Sequence, residues 1–188
     1  MTDFNTTKNG WQPITLVLHS LFAFCIIGQL ITSTFMHRPK PGRHVSAFEA
    51  WGYQTHEYMG ILTLILLICY VVWAFVILKR GPHLFPWSRV GWQTIWRQCK
   101  ALLKGILPAS HSTGGLSGLI HGLGLLLVIA TASTGTIWWL LSLSHIFTIG
   151  QIHPLKEVHE WCGTIVWFYL GGHVSMAILH WLIDAFKR

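Results

Sequence analysis

The chain has 188 residues, of which 52% are hydrophobic and only 10% charged, and its formal net charge is +7. Too few charges are present to cover the surface of a soluble domain of this size, so water is not the main solvent. A nucleic-acid reading of the basic balance is thereby excluded, since no soluble domain is left to carry it. The expectation is an all-α integral membrane four-helix bundle in contact with lipid.

A helix needs ~20 mostly apolar residues to cross the hydrocarbon. Four stretches qualify: Ile14 to Phe35, Thr55 to Leu78, Ser117 to Leu143 and His159 to Ile183. They leave no room for a second domain, so residues 1–188 read as one transmembrane domain with spans at about 14–35, 55–78, 117–143 and 159–183. The segment before the first span carries one lysine, Lys8, and no small-residue cleavage site follows the span. It is expected to be a retained helix rather than a signal peptide, with the mature chain beginning near Met1.

The cations set the expected orientation. Lys8, Lys79, Arg80, Arg89, Arg97, Lys100, Lys104, Lys187 and Arg188 fall on one side, and Arg38, Lys40, Arg43 and Lys156 on the other. By the positive-inside rule both termini are cytoplasmic, with the loops Met36 to Gln54 and Ser144 to Val158 outside. Between the second and third spans, Trp92, Ile95, Trp96, Cys99, Leu102, Leu103 and Ile106 recur at helical spacing, bracketed by Pro86 and Pro108. Arg89, Gln93, Gln98, Lys100 and Lys104 supply the other side, which predicts an interfacial amphipathic helix. It is either a connector lying on lipid or a docking surface for a cytoplasmic partner. Tryptophans near span ends, among them Trp11, Trp51, Trp138, Trp139 and Trp181, fit interfacial anchoring. Cys25, Cys69, Cys99 and Cys162 stand singly and read as packing residues rather than a metal or redox thiol site.

Twelve histidines are present, and several lie in the spans, where a polar side chain is expensive without a partner. His19 is near the inner end of the first span and His56 near the outer end of the second. His159 begins the fourth span outside. His173 follows fourteen residues later, ~21 Å deeper and close to four full turns on, so it faces nearly the same way. This topology yields two pairs at matching depths, His56 with His159 and His19 with His173. Two facing imidazoles supply the axial ligands of a haem iron, so two pairs would stack two haems across the bilayer. Taken singly, any of these histidines could instead hydrogen-bond a neighbouring backbone.

A short internal echo sharpens the reading. His56-Glu57-Tyr58-Met59-Gly60 and His159-Glu160-Trp161-Cys162-Gly163 share the pattern H-E-aromatic-x-G. Gly60 and Gly163 lie on the histidine's face, where a missing side chain leaves room for a flat macrocycle. Each also occupies the position at which an H-E-x-x-H zinc protease needs its second histidine, which disfavours a metalloprotease. His121, near the inner pair, could be a competing ligand, a propionate contact or part of a quinone pocket. His180 lies two turns beyond His173. The loop residues His37, His44, His83, His111, His145 and His153 read as solvated or interfacial.

On Leu18-His19-Ser20, Gln54-Thr55-His56-Glu57, Val158-His159-Glu160 and Gly172-His173, the chain resembles the small bacterial cytochrome b561 family, related to the b-type cytochrome subunits of nickel-iron hydrogenases. The resemblance covers all four spans. It implies two haems b on His19, His56, His159 and His173, no ligand from the third span, and electron transfer between quinone and a redox partner. Some small members of that family look like superoxide oxidases that pass the electron to ubiquinone. The resemblance thus implies a bacterial inner-membrane oxidoreductase working between an outer one-electron donor, such as superoxide, and ubiquinone. The other reading is a haem-bearing anchor subunit that serves a soluble dehydrogenase or hydrogenase. Arg38, Lys40 and Arg43 could draw an anion toward the outer haem or simply contact lipid headgroups. His180, Trp181 and His121 are the candidate quinone contacts.

Overall fold

The computed structural model describes residues 13–37, 42, 44–106, 114–144 and 146–186. Among them there is no strand. The helices are α1 (Pro13–Ser33), α2 (Ala47–Val71), α3 (Gly81–Leu84), α4 (Arg89–Leu103), α5 (Gly115–Ser144) and α6 (Ile149–Phe186), and α2 continues into a π-helical stretch, Val72–Ile77. Four of these segments are long and apolar enough to cross a membrane: Pro13–Ser33, Ala47–Ile77, Gly115–Ser144 and Ile149–Phe186. The expected all-α class and its four spans are therefore present. Many large apolar side chains point outward, Phe24, Tyr58 and Phe168 among the most exposed. That is the pattern of helices whose solvent is hydrocarbon, where burial inside the protein is not the main way to remove apolar surface from water.

Two helices begin earlier than hydropathy predicts. α2 starts at Ala47 rather than Thr55, and α6 at Ile149 rather than His159, about two and three turns sooner. Each start is built by a capping box, in which two otherwise unpaired N–H groups are satisfied reciprocally. Ser46 N donates to Glu49 Oε2 at 2.8 Å, and Glu49 N donates to Ser46 Oγ at 3.2 Å. Thr148 N donates to Gln151 Oε1 at 2.9 Å, and Gln151 N donates to Thr148 Oγ1 at 3.4 Å. The polar first turns of α6 carry the pairs His153–Glu157 and Lys156–Glu160. With 38 residues, α6 is ~57 Å long against ~30 Å of hydrocarbon, so its polar start has length to extend beyond the lipid core.

The chain divides into two compact units, Met1–Val72 with Ile129–Gly163, and Trp73–Val128 with Thr164–Arg188. In the first, α1 packs on α2. Gly28 makes room for the Met59 side chain and Gly52 for the Phe35 ring. Phe35 stacks on Phe48 at 4.5 Å between ring centroids. Cys25 is buried and its thiol donates to the Thr63 hydroxyl, which itself donates to the Met59 carbonyl at 2.6 Å.

In the second unit, α3 lies directly on α5. A side chain at Gly118 would strike the His83 carbonyl, and one at Gly122 the Leu84 carbonyl. Phe85 stacks between Phe75 and Trp87, at 6.1 Å from each. The predicted amphipathic helix is α4, started by Ser88, whose hydroxyl accepts from Gly91 N. Its Ile95 is buried while Trp96 and Leu103 are exposed, so part of the apolar stripe packs on protein and the rest faces outward. Ile106 lies past the end of α4, and Pro108 is outside the described residues. Gln98, expected only to line the polar face, accepts the Leu116 N–H at 2.6 Å. It thereby satisfies a donor at the start of α5 that has no partner within its own helix.

Candidate functional site

In the first unit, α2 carries His56 and α6 carries His159, both half-buried. Their ring centroids lie 6.2 Å apart and the ring planes are nearly perpendicular, at 82°. Each ring is held from a different helix. His56 Nδ1 donates to the Gln29 carbonyl of α1 at 3.1 Å, and His159 Nδ1 donates to the Thr131 carbonyl of α5 at 2.9 Å. A carbonyl oxygen can only accept, so Nδ1 carries the hydrogen in both rings and Nε2 keeps its lone pair. This is the tautomer that a metal-binding imidazole needs.

Further contacts fix His56. Thr32 Oγ1 lies 3.1 Å from His56 Nδ1, and the Gln29 amide donates to the His56 carbonyl at 3.0 Å. Gly60, one turn along α2, would bring a side chain to 3.1 Å from the Gln29 Nε2. Its bareness therefore admits the clamp that holds His56. The space around Gly163 is open, with no atom within 4 Å of where a side chain would begin. His159 rests against Gly135 of α5, where an added Cβ would stand 2.7 Å from its Cε1.

The second unit holds a different cluster. His173 of α6 has its ring centroid 5.2 Å from that of His121, edge to face at 87°, and Tyr169 stacks on it at 5.6 Å and 18°. Gly124 lies beneath the Tyr169 ring, where any side chain would clash. His121 and His180 donate from Nδ1 to the carbonyls one turn back in their own helices, Ser117 at 2.7 Å and Met176 at 2.8 Å. That is an ordinary way to satisfy a lone histidine in an apolar helix. It contrasts with His56 and His159, whose bonds cross to other helices. Trp181 is exposed beside His180. His19 lies near the start of α1 in the first unit, half-buried. Arg38, Lys40 and Arg43, and the loop histidines His111 and His145, fall outside the described residues. His37 pairs with Glu49 at 2.9 Å.

The arrangement of His56 and His159 fits a shared metal ion. Two metal–nitrogen bonds of ~2 Å and the ~1 Å from each nitrogen to its ring centre span about 6 Å, as found. Among the described residues no cluster of three or more His, Cys, Asp or Glu side chains could hold a metal by itself. A pair of imidazoles is a donor set for an ion whose other positions are filled by a macrocycle, which is how haem iron is held. Gln29, Thr32, Thr131, Gly135 and Tyr169 are the contacts that sequence reasoning missed. Gln29, Thr32 and Thr131 did carry a signal, being polar side chains inside apolar spans.

No curated protein matches the chain. A family model described as prokaryotic cytochrome b561 matches residues 10–188, and this stretch takes in all four spans.

Proposed function

The chain belongs to the prokaryotic cytochrome b561 family, and from that premise we propose that it links an outer one-electron donor such as superoxide to membrane ubiquinone. Family membership and the four apolar helices make it a multi-pass membrane protein that carries electrons on b-type haem. The finer reading is two haems in one transmembrane domain, one held by His56 and His159 and the other by His19 and His173. The observation that carries it is the His56–His159 pair, 6.2 Å apart, with both Nδ1 atoms engaged by carbonyls of other helices.

Haem b supplies a reversible one-electron couple. The protein's part is position. α1 and α5 hold the two imidazoles in the tautomer that presents Nε2, Gly135 leaves room for the His159 ring, Gly60 admits the Gln29 amide that fixes His56, and Gly163 leaves open space one turn from His159. In the net reaction two superoxide anions each lose one electron to become dioxygen, and ubiquinone takes up two electrons and two protons. Arg38, Lys40 and Arg43, in the loop between the first two spans, are the cations that would concentrate the anion. His121, His180 and Trp181 are the candidate quinone contacts, Trp181 offering an aromatic face to a flat head and the two histidines their Nε2 atoms, since each Nδ1–H is already donated to a backbone carbonyl. The excess of cations on one side supports a reading with both termini in the cytoplasm, and family membership supports the bacterial inner membrane as its site.

The test is the dithionite-reduced minus oxidised spectrum with pyridine haemochrome quantification, for the purified protein and for His56→Ala and His173→Ala. Two haems per chain, with each variant losing one, is the expected result. One haem insensitive to both changes would overturn the ligand assignment. Superoxide-driven reduction of ubiquinone by the purified, haem-loaded chain is expected as well. Its absence with both haems in place would instead mark an anchor subunit for a soluble partner enzyme.

A further inference from the structure

We propose that Thr32 is a positioning residue that sets the redox potential of the haem held by His56, acting through the His56 Nδ1–H group. The proposal rests on the assignment of His56 as an axial ligand.

The hydrogen-bond accounting at Thr32 leads to it. Its hydroxyl hydrogen is directed back into α1, toward the Gly28 carbonyl at 2.8 Å or the Gln29 carbonyl at 3.0 Å. A threonine in a helix commonly does this, and those two contacts by themselves would mean nothing more than local back-bonding. The same oxygen also lies 3.1 Å from His56 Nδ1 on α2. Nδ1 carries the hydrogen, because its other neighbour is the Gln29 carbonyl at 3.1 Å, so at this contact Thr32 is the acceptor. A hydroxyl that is donating elsewhere is a better acceptor, because linked hydrogen bonds polarise one another. Thr32 is only 5% exposed, so little water competes for the contact.

The consequence is an unequal pair of imidazoles. The His56 N–H is shared between two acceptors, whereas the His159 N–H has the Thr131 carbonyl at 2.9 Å. Acceptors on the distant N–H push electron density toward the metal-facing nitrogen and make the imidazole a stronger donor. A stronger donor favours the oxidised, more positive metal and lowers the potential. Thr32 therefore holds the potential of this haem below the value that the backbone carbonyls would set by themselves. The Gln29 amide, bonded to the His56 carbonyl at 3.0 Å, fixes the backbone of α2 so that the ring stays within reach.

The experiment is a spectroelectrochemical titration of the haem-loaded protein with Thr32→Val, which keeps the branched shape and removes the hydroxyl, and with Thr32→Ser, which restores it. In Thr32→Val one haem is expected to shift to higher potential while the other stays. The shift is about threefold to tenfold in the oxidised-to-reduced ratio, about 30–60 mV at ~59 mV per tenfold for one electron. Thr32→Ser is expected to return the wild-type value, and the low-spin electron paramagnetic resonance signal of that haem should move and return in step. Should Thr32→Val lose the haem, Thr32→Ala serves for the same comparison. Wild-type potentials in the hydroxyl-free variant, or a shift that Thr32→Ser fails to reverse, would overturn the proposal. His56→Ala separates the two levels of the argument: if it retains both haems, the ligand assignment itself is wrong.

Discussion

Gly135 offers the sharpest test of how α5 and α6 build the site. In Gly135→Ala the new Cβ would stand 2.7 Å from His159 Cε1 and 2.9 Å from its Nδ1. Carbon atoms settle at ~3.5 Å or more, so the ring must retreat by about 0.8 Å. Thr131 is one turn back on the same helix, and its carbonyl accepts the His159 N–H at 2.9 Å. A ring pushed off Gly135 is also drawn off Thr131, and at up to ~3.7 Å that hydrogen bond no longer exists. Overpacking costs about 1–3 kcal/mol and the lost bond about 0.5–1.5 kcal/mol, while alanine returns ~1 kcal/mol in helix propensity. The net cost centres near ~2 kcal/mol, about thirtyfold in the equilibrium for haem retention. Haem-to-protein ratio after equal detergent washing is the assay, with Gly150→Ala as control because no atom lies within 4 Å of its added Cβ. A Gly135→Ala protein with the wild-type ratio and spectrum would refute the argument that this close approach seats His159.

Two further outcomes are expected. Gly118→Ala and Gly122→Ala should each lower the thermal midpoint in detergent, by about 1–3 kcal/mol of stability, because the atoms met are the His83 and Leu84 carbonyls of the backbone, which cannot rotate away as a side chain can. Differential scanning of the detergent-solubilised protein reads this, and midpoints equal to wild type would show that α3 is free to lift from α5. Replacing Arg38, Lys40 and Arg43 together with glutamine should slow superoxide-driven haem reduction and flatten its dependence on ionic strength. An unchanged rate and salt dependence in stopped-flow measurements would remove the anion-funnel idea.

How much of this was legible beforehand differs from element to element. Hydropathy located the four spans because removal of apolar side chains from water is a property of composition along one segment. It did not locate the starts of α2 and α6, which lie before the apolar spans, since polar residues there dilute the average. The local signals Ser46-x-x-Glu49 and Thr148-x-x-Gln151 were nevertheless present. The stripe of α4 was readable for the same reason as the spans, whereas the contact of Gln98 with the Leu116 N–H joins residues of separate helices and leaves no periodic trace.

The site divides along the same line. The sequence by itself determined the helical class, the four apolar segments, the amphipathic α4 and the repeated H-E-aromatic-x-G pattern that singles out His56 and His159, all of which depend on residues close together in the chain. Only the tertiary structure decided which groups grip those rings: Gln29 and Thr32 on His56, Thr131 and Gly135 on His159, and the edge-to-face contact of His121 with His173 beside Tyr169. The two cross-helix Nδ1 bonds join residues 27 and 28 positions apart. Their existence depends on how far one helix slides and turns against another, and that is set by packing summed over whole helices rather than by any short run of residues.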